Sequence, residues 1–276
     1  MITAANPFKF GRIFELNTEI MQESGTAMLR ESYRKPPVFN PFPELVAAES
    51  TRHGGVSTGP YSSLNLGGTQ DSPDNIRANN HIFFNALGVP FENVAKSHQV
   101  HGVDILVVSK AGRYEAYDAL ITNVKGIQLA VTIADCTPIL IYDPVSGAVA
   151  AIHAGWRGTA GRIVELTVAA MQEQYGTQPS DCIGYVGTCI DECSFEVGED
   201  VAIHFDDQYK RWDGRLGKFF VDLKTANRGQ LIHSGLKPEN VAVSPYSTVI
   251  NNEDYFSHRL EKGITGRLLA TIGRKA

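Results

Sequence analysis

The chain has 276 residues, 43% of them hydrophobic and 20% charged, a length that favours one large domain with a substantial core and a composition ordinary for a globular enzyme. Its formal net charge is -5 and its basic residues are scattered, which gives no electrostatic footprint for nucleic acid; no apolar stretch is long enough to span a bilayer. Four sparse cysteines do not make a secreted disulfide framework and the N-terminus lacks a basic-then-apolar signal pattern, so the cytoplasm is the expected location.

Residues 1–37 read as an N-terminal extension of mixed charge, with weak helical periodicity around Phe14–Leu29 and an extended connector at Lys35-Pro36-Pro37. Met28 offers an alternative start. From residue 38 to 276 the character is continuously α/β, with no linker or repeat to mark a second domain. Thr51-Arg52-His53-Gly54-Gly55-Val56-Ser57 and Gly59–Leu66 form a Gly/Ser-rich, aromatic-bearing stretch without the Gly-Lys-Ser/Thr ending of a phosphate loop. It is either a plain surface loop or, through the fork of Arg52, an anion clamp. A helix over Asp74–Leu87 ends at Gly88. His98 and His101 follow, ahead of a strand at Ile105–Ser109.

Strands are expected at Ile127–Ala134, Pro138–Tyr142 and Ala148–His153. The last two flank Asp143-Pro144-Val145-Ser146-Gly147 and read as an antiparallel hairpin with a five-residue loop. Folding back near Val145 makes paired positions sum to about 290, which sets Cys136 and Thr137 across from His153 and Ala154; Cβ atoms of facing residues lie roughly 4.5–5.5 Å apart. A thiolate and an imidazole at that spacing suit zinc or copper, with His101 as the third ligand and His98 as a pocket neighbour. Two other readings stay open: Cys136 as a small buried hydrophobe, and Cys136 with a histidine and Asp135 as a cysteine hydrolase. A second imidazole near the thiol favours the metal. Asp135 projects to the opposite face of a regular strand, where it orients a ligand, acts as a base or caps a turn.

His153-Ala154-Gly155-Trp156-Arg157-Gly158 spans a strand end and a helix start, suited either to an anion or to a packed turn. A helix over Thr159–Tyr175 places Ile163, Leu166, Ala170 and Met171 on one face and closes at Gly176. A strand at Ile183–Val186, a helix at Leu223–His233 closing before Gly235, and a strand at Val241–Val243 complete the pattern. Cys189-x-x-x-Cys193 lacks a companion pair and reads as plain thiols. Strands alternating with helices but including a hairpin imply a single α/β (α+β) domain with mixed β-sheets covered by helices.

Read in order, Thr51-Arg52-x-Gly54-Gly55-Val56-Ser57, Pro60-Tyr61-x-Ser63-Leu64-Asn65-Leu66, Gln99-Val100-His101-Gly102, Asp118–Thr122, Ala134-Asp135-Cys136-x-Pro138, His153–Gly158, Phe195-Glu196-Val197-Gly198 and Thr265-Gly266-Arg267 closely resemble the laccase-domain family. That family, first described as multicopper polyphenol oxidoreductases, is now described as zinc-dependent purine nucleoside phosphorylases with adenosine deaminase activity, and its bacterial members also as peptidoglycan editing factors. The resemblance implies one metal on His101, Cys136 and His153, a purine nucleoside (adenosine, inosine and, further, guanosine and methylthioadenosine) with phosphate as substrates, and Arg52 as a phosphate contact. We assign Asp135 and Arg52 to catalysis and Asn65, Arg157, His258 and Arg259 to substrate binding. Zinc is the expected metal and copper the alternative; no nucleic acid or membrane partner is expected, and a monomer or small homo-oligomer is. A copper-dependent polyphenol oxidase is the runner-up, disfavoured because only eight histidines lie in separate segments; a cytoplasmic peptidoglycan-editing role is the third. Three departures stand out: Gly187-Thr188-Cys189-Ile190 where Gly-Pro-x-Ile is usual, Ser247-Thr248 for Cys-Thr, and Gly67-Gly68-Thr69 without a histidine.

Overall fold

The structure, a computed structural model, describes residues 31–276, which form one compact unit from Glu31 to Ala276. The helical periodicity at 14–29 and the alternative start at Met28 lie outside the described residues. Within the described part, Tyr33–Arg34 already pairs with Glu49 and Ser50 as an edge strand.

Two six-stranded sheets carry the architecture. The first runs, in spatial order, Tyr33–Arg34, Leu45–Ser50, Leu268–Arg274, Gln128–Ile133, Val94–His98 and Gly112–Glu115. The second runs Val241–Val243, Ile183–Val186, Thr137–Tyr142, Val149–Ala154, Ala119–Thr122 and Ile105–Val107. Both mix parallel and antiparallel pairs. A small antiparallel sheet of Glu196–Val197, Lys218–Val221 and Lys210–Asp213 stands beside them.

Side-chain alternation explains the layering. Successive residues of a strand face opposite ways. In Thr137–Tyr142, Leu140 and Tyr142 join Leu129, Val131, Ala270 and Ile272 of the first sheet in one core. Ile139 and Ile141 point the other way, onto Ile163, Val164, Val168 and Met171 of a helix and Leu231 of another. The first sheet buries Ala48, Ala130 and Leu269 on its outer face, under Phe83 and Phe84 of a third helix. The result is helix, sheet, sheet, helix. A strand buried on both faces has no reason to alternate, which is why Pro138–Tyr142 and Ala148–Ile152 read as unbroken apolar runs.

Most expected elements are present with small shifts. The helix expected at Asp74–Leu87 runs Pro73–Ala86, with proline in its first turn. Ile183–Val186, Leu223–His233 and Val241–Val243 form where their patterns place them. The helix expected over Thr159–Tyr175 is two, Trp156–Ala160 and Ile163–Tyr175, broken where Arg162 adopts φ 62°. Its buried face is Ile163, Val164, Thr167, Val168 and Met171, while Leu166 is exposed, contrary to the expected stripe. Within this helix the buried positions follow the i, i+1, i+4, i+5, i+8 spacing of one face, which leaves Leu166 on the flank. Gly176 closes the helix at φ 68°, a left-handed conformation that costs a side-chain-bearing residue roughly 1–2 kcal/mol.

The hairpin register also differs by one. Thr137 pairs with Ala154 and Pro138 with His153, so Ala148 belongs to the turn and the strand starts at Val149. Cys136 lies in the bend before its strand, not opposite His153.

Candidate metal centre

The site forms where the chain crosses between the two large sheets. Val94–His98 ends in the first sheet, and His101 lies on the crossing to Ile105–Val107 in the second. Gln128–Ile133 ends in the first sheet, and Asp135 and Cys136 form the bend that enters the second. His153 comes from the strand Val149–Ala154. The three donor atoms, one each from His101, Cys136 and His153, lie within 4.8 Å of one another. Donors bound tetrahedrally at zinc distances stand about 3.5 Å apart, so a small inward adjustment brings all three onto one ion. The residues fit a metal.

Each ligand is held from behind. His153 is buried and its Nδ1 lies 2.7 Å from Asp118 Oδ1, which leaves Nε2 for a metal. Fully buried Asp118 also accepts the backbone N–H groups of Val100 (3.1 Å), His101 (3.0 Å) and Gly102 (2.7 Å). These bonds fix the turn in which His101 sits at φ 61°, an uncommon conformation for a residue with a side chain. Gln99 reads the neighbouring strand: its amide donates to Thr132 O and accepts from Thr132 N, both at 2.8 Å. Gly155 is required for space, because a Cβ there would lie 2.9 Å from His101 Cδ2 and 3.2 Å from Cys136 Sγ.

Charge favours ligation. Burial alone would raise the Cys136 thiol, but the charge of His153 and hydrogen bonds from both imidazoles pull it down to about 6. Burial would lower His153, but the Cys136 thiolate and the Asp118 carboxylate push it up to about 9. Cys182 and Cys189 are buried without such partners and are pushed up to about 12. Metal-free protein should therefore react with iodoacetamide at Cys136 first, with a rate that rises through about pH 6 and then levels off. Peptide mapping across pH measures this; a rate still climbing between about pH 8 and 9, as for an ordinary thiol, would contradict it.

The other expected site residues fall into two groups. Asp135, at φ 83°, sits beside the cluster with Oδ1 accepting from Thr248 Oγ1 and Oδ2 from the backbone N of Arg259, both at 2.6 Å. Arg259 then reaches away to the carbonyls of Ser194 and Glu196 and over the ring of Phe195. Arg52 donates to Ser62, Asn252 and Tyr255 carbonyls and pairs with Glu261, which leaves Nη2 alone without an acceptor among the described residues. Asn65 is 1% exposed and its amide is spent on Asp71, Gly67 and Arg267, so it ties these loops together. Arg157 is exposed and lies over its neighbour Trp156; His258 is exposed beside Gly263. His98 pairs with Glu115 at the surface and is no neighbour of the cluster.

Asp118 is the main residue that the chemistry of the motifs did not single out as functional. Of the departures from the usual pattern, Thr188 replaces proline with a residue whose N–H and hydroxyl both bind buried Glu49 (2.7 and 3.1 Å), bonds proline could not donate. Ser247 caps Val249 and Ile250 and donates to Asp191.

The family model for multi-copper polyphenol oxidoreductase laccases matches residues 46–275. The chain belongs to that family. Among its laccase-family relatives, purine nucleoside phosphorylase YlmD of Geobacillus stearothermophilus is 36% identical over 252 residues, 85% of this chain and 92% of that one. A purine nucleoside phosphorylase of Deinococcus radiodurans is 39% identical over 228 residues, 82% and 88% of the two chains. The crystal structure of the Geobacillus YlmD superposes with a TM-score of 0.84 at 34% identity, covering 90% of this chain and 97% of that one. A YfiH structure from Bacillus licheniformis gives a TM-score of 0.84 at 29% identity, covering 88% and 97%. The mixed α/β architecture is thus shared along nearly the full length of these laccase-family chains. No helix among the described residues is long and apolar enough to cross a membrane.

Proposed function

We propose that this laccase-family chain is a zinc-dependent purine nucleoside phosphorylase of the cytoplasm that also deaminates adenosine. The observation that carries the reading is the cluster of His101, Cys136 and His153, the one such group among the described residues, in a chain 36–39% identical to proteins named purine nucleoside phosphorylase. Adenosine and inosine are the expected substrates, with guanosine and methylthioadenosine as further ones.

Two imidazoles and one thiolate with a fourth position open match a catalytic zinc set. Zinc in that set supplies Lewis acidity and acidifies water toward a pKa of about 7. Reduction of oxygen to water asks for several copper centres, and the described residues offer one three-ligand cluster. That favours zinc over copper and a phosphorylase over a phenol oxidase. Four free cysteines, one of them the metal-binding Cys136, suit a reducing compartment.

The chain's own groups do the rest. In phosphorolysis a phosphate oxygen bonds to ribose C1′, the C1′–N9 bond breaks, and its electron pair leaves with the purine, which takes up a proton. Asp135, fixed beside Cys136 by Thr248 and the Arg259 backbone, is the group we assign to proton transfer. In deamination water adds at purine C6 and ammonia leaves, and the same carboxylate can carry the proton between them. Asp118 keeps His153 in one tautomer throughout. Purified protein incubated with adenosine, with and without phosphate, tests the proposal: adenine release should depend on phosphate and inosine formation should not. No turnover of any purine nucleoside would overturn it.

A further inference from the structure

Building on that phosphorylase reading, we infer that Arg267 is the residue that binds the phosphate co-substrate. Arg267 stands at the entry to the strand Leu268–Arg274, on the rim where the crossings carrying His101 and Cys136 emerge. Its backbone is fixed, the N–H donating to Asn65 Oδ1 at 2.7 Å and the carbonyl accepting from Leu66 N at 2.9 Å. Its stem runs along two glycines: a Cβ on Gly67 would lie 3.5 Å from Arg267 Cβ, and one on Gly68 would meet only Arg267 Cγ, at 3.7 Å.

The guanidinium itself is under-used. Its hydrogen bonds are Nη1 to the carbonyls of Thr265 and Gly266, its own neighbours, at 3.1 and 3.0 Å. No carboxylate among the described residues lies within ion-pairing distance of it. The contrast with Arg52 is direct, since Arg52 has Glu261 at 3.1 Å and three carbonyl acceptors. Burial presses the Arg267 pKa below its usual value, and the charges that push back are led by Cys136 and Asp135, a metal ligand and its neighbour in the chain. Among these the Cys136 thiolate is foremost, and a metal on His101, Cys136 and His153 takes that charge over. Asp135 is already satisfied by Thr248 and Arg259 N. What remains is a half-buried, unpaired fork beside the reacting centre, and a half-buried cation of that kind demands an anion. The guanidinium fork matches two phosphate oxygens at once.

Arg267→Met and Arg267→Lys in the zinc-loaded protein test the assignment. Calorimetry with inorganic phosphate and the KM for phosphate in adenosine cleavage are the readouts, alongside zinc content and the KM for adenosine. Arg267→Met should weaken phosphate about 10- to 100-fold on both readouts, with zinc content unchanged and the adenosine KM within about threefold. Arg267→Lys keeps the charge and the stem and loses the fork, so it should fall between; it decides the matter if the methionine variant does not fold. Phosphate binding unchanged in either folded variant would overturn the inference. So would lost zinc affinity with an unchanged phosphate KM, the signature of a mere counter-ion to Cys136. Should the wild type cleave no nucleoside, the phosphorylase reading fails by itself. Calorimetry then still decides: phosphate binding lost in the variants supports Arg267, and no binding to wild type overturns it.

Discussion

Cys136→Ser will leave the protein essentially without metal. The substitution exchanges a thiol already pulled down to about 6 for a hydroxyl that stays protonated at neutral pH and binds zinc poorly. Losing an outer partner of a ligand commonly lowers metal affinity about 10- to 100-fold, and losing a ligand from a three-member set costs more. Zinc per chain, measured on dialysed protein, should fall from near one equivalent to a trace, and purine nucleoside turnover should fall with it. His101→Ala and His153→Ala should behave alike. Cys182→Ser, Cys189→Ser and Cys193→Ser should keep wild-type zinc, since none of them approaches the cluster. The buried pair should lose stability, because a hydroxyl in place of a thiol leaves a polar group to satisfy, at about 1–3 kcal/mol each. Full occupancy and activity in Cys136→Ser would remove the ligand set altogether.

Asp118→Asn is the second severe change, although Asp118 is not itself one of the three ligands. Oδ1 faces His153 Nδ1 and His101 N, and Oδ2 faces the N–H groups of Val100 and Gly102. An asparagine can satisfy one side only; its NH2 then confronts buried donors on the other. Each orphaned donor costs about 1–3 kcal/mol, so a loss of roughly 2–5 kcal/mol in denaturant unfolding is expected. The left-handed turn at His101 loses its tether and His153 its fixed tautomer, so zinc affinity in a chelator competition should drop about 10- to 100-fold. Burial would raise the Asp118 carboxyl, but His153 and the backbone donors hold it below its usual value. Its contribution to stability is therefore present above the unfolded carboxylate range and lost as pH falls through the lowered native value. Asparagine removes that acid-side dependence. Zinc affinity within twofold of wild type would show that the nest around Asp118 does not organise the site.

How much of this was legible in the chain follows from which forces act locally. Strands buried on both faces announce themselves as apolar runs, so the centre of the second sheet was readable, and Ile183–Val186 was located to the residue. Leu45–Ser50 gives only the short run Leu45–Ala48, because Glu49 ends it, buried and satisfied by Tyr185 and Thr188 from far along the chain. The hairpin register slipped by one because Gly147 bonds back to Asp143 and holds Ala148 in the turn. The pairing of Cys136 with His153 survived that slip only because Cys136 lies in a bend, free of strict cross-strand partnering. Asp118 reaches His153 across 35 positions, and no short motif encodes that contact. Arg267 meets part of the same limit: Thr265-Gly266-Arg267 stands out as a motif in the sequence, but only the return of the last strand to the first sheet brings it to the metal residues.

The proposed function depends on one metal, on His101, Cys136 and His153, carrying phosphorolysis of purine nucleosides. Its most direct test titrates zinc into chelator-stripped protein while following phosphate-dependent release of purine base from adenosine. Activity should be absent in the stripped protein, rise linearly to a sharp end point at one zinc per chain, and not return in Cys136→Ser. Base release by the metal-free protein, or an end point reached only with several equivalents of copper and with oxygen consumed, would contradict the account.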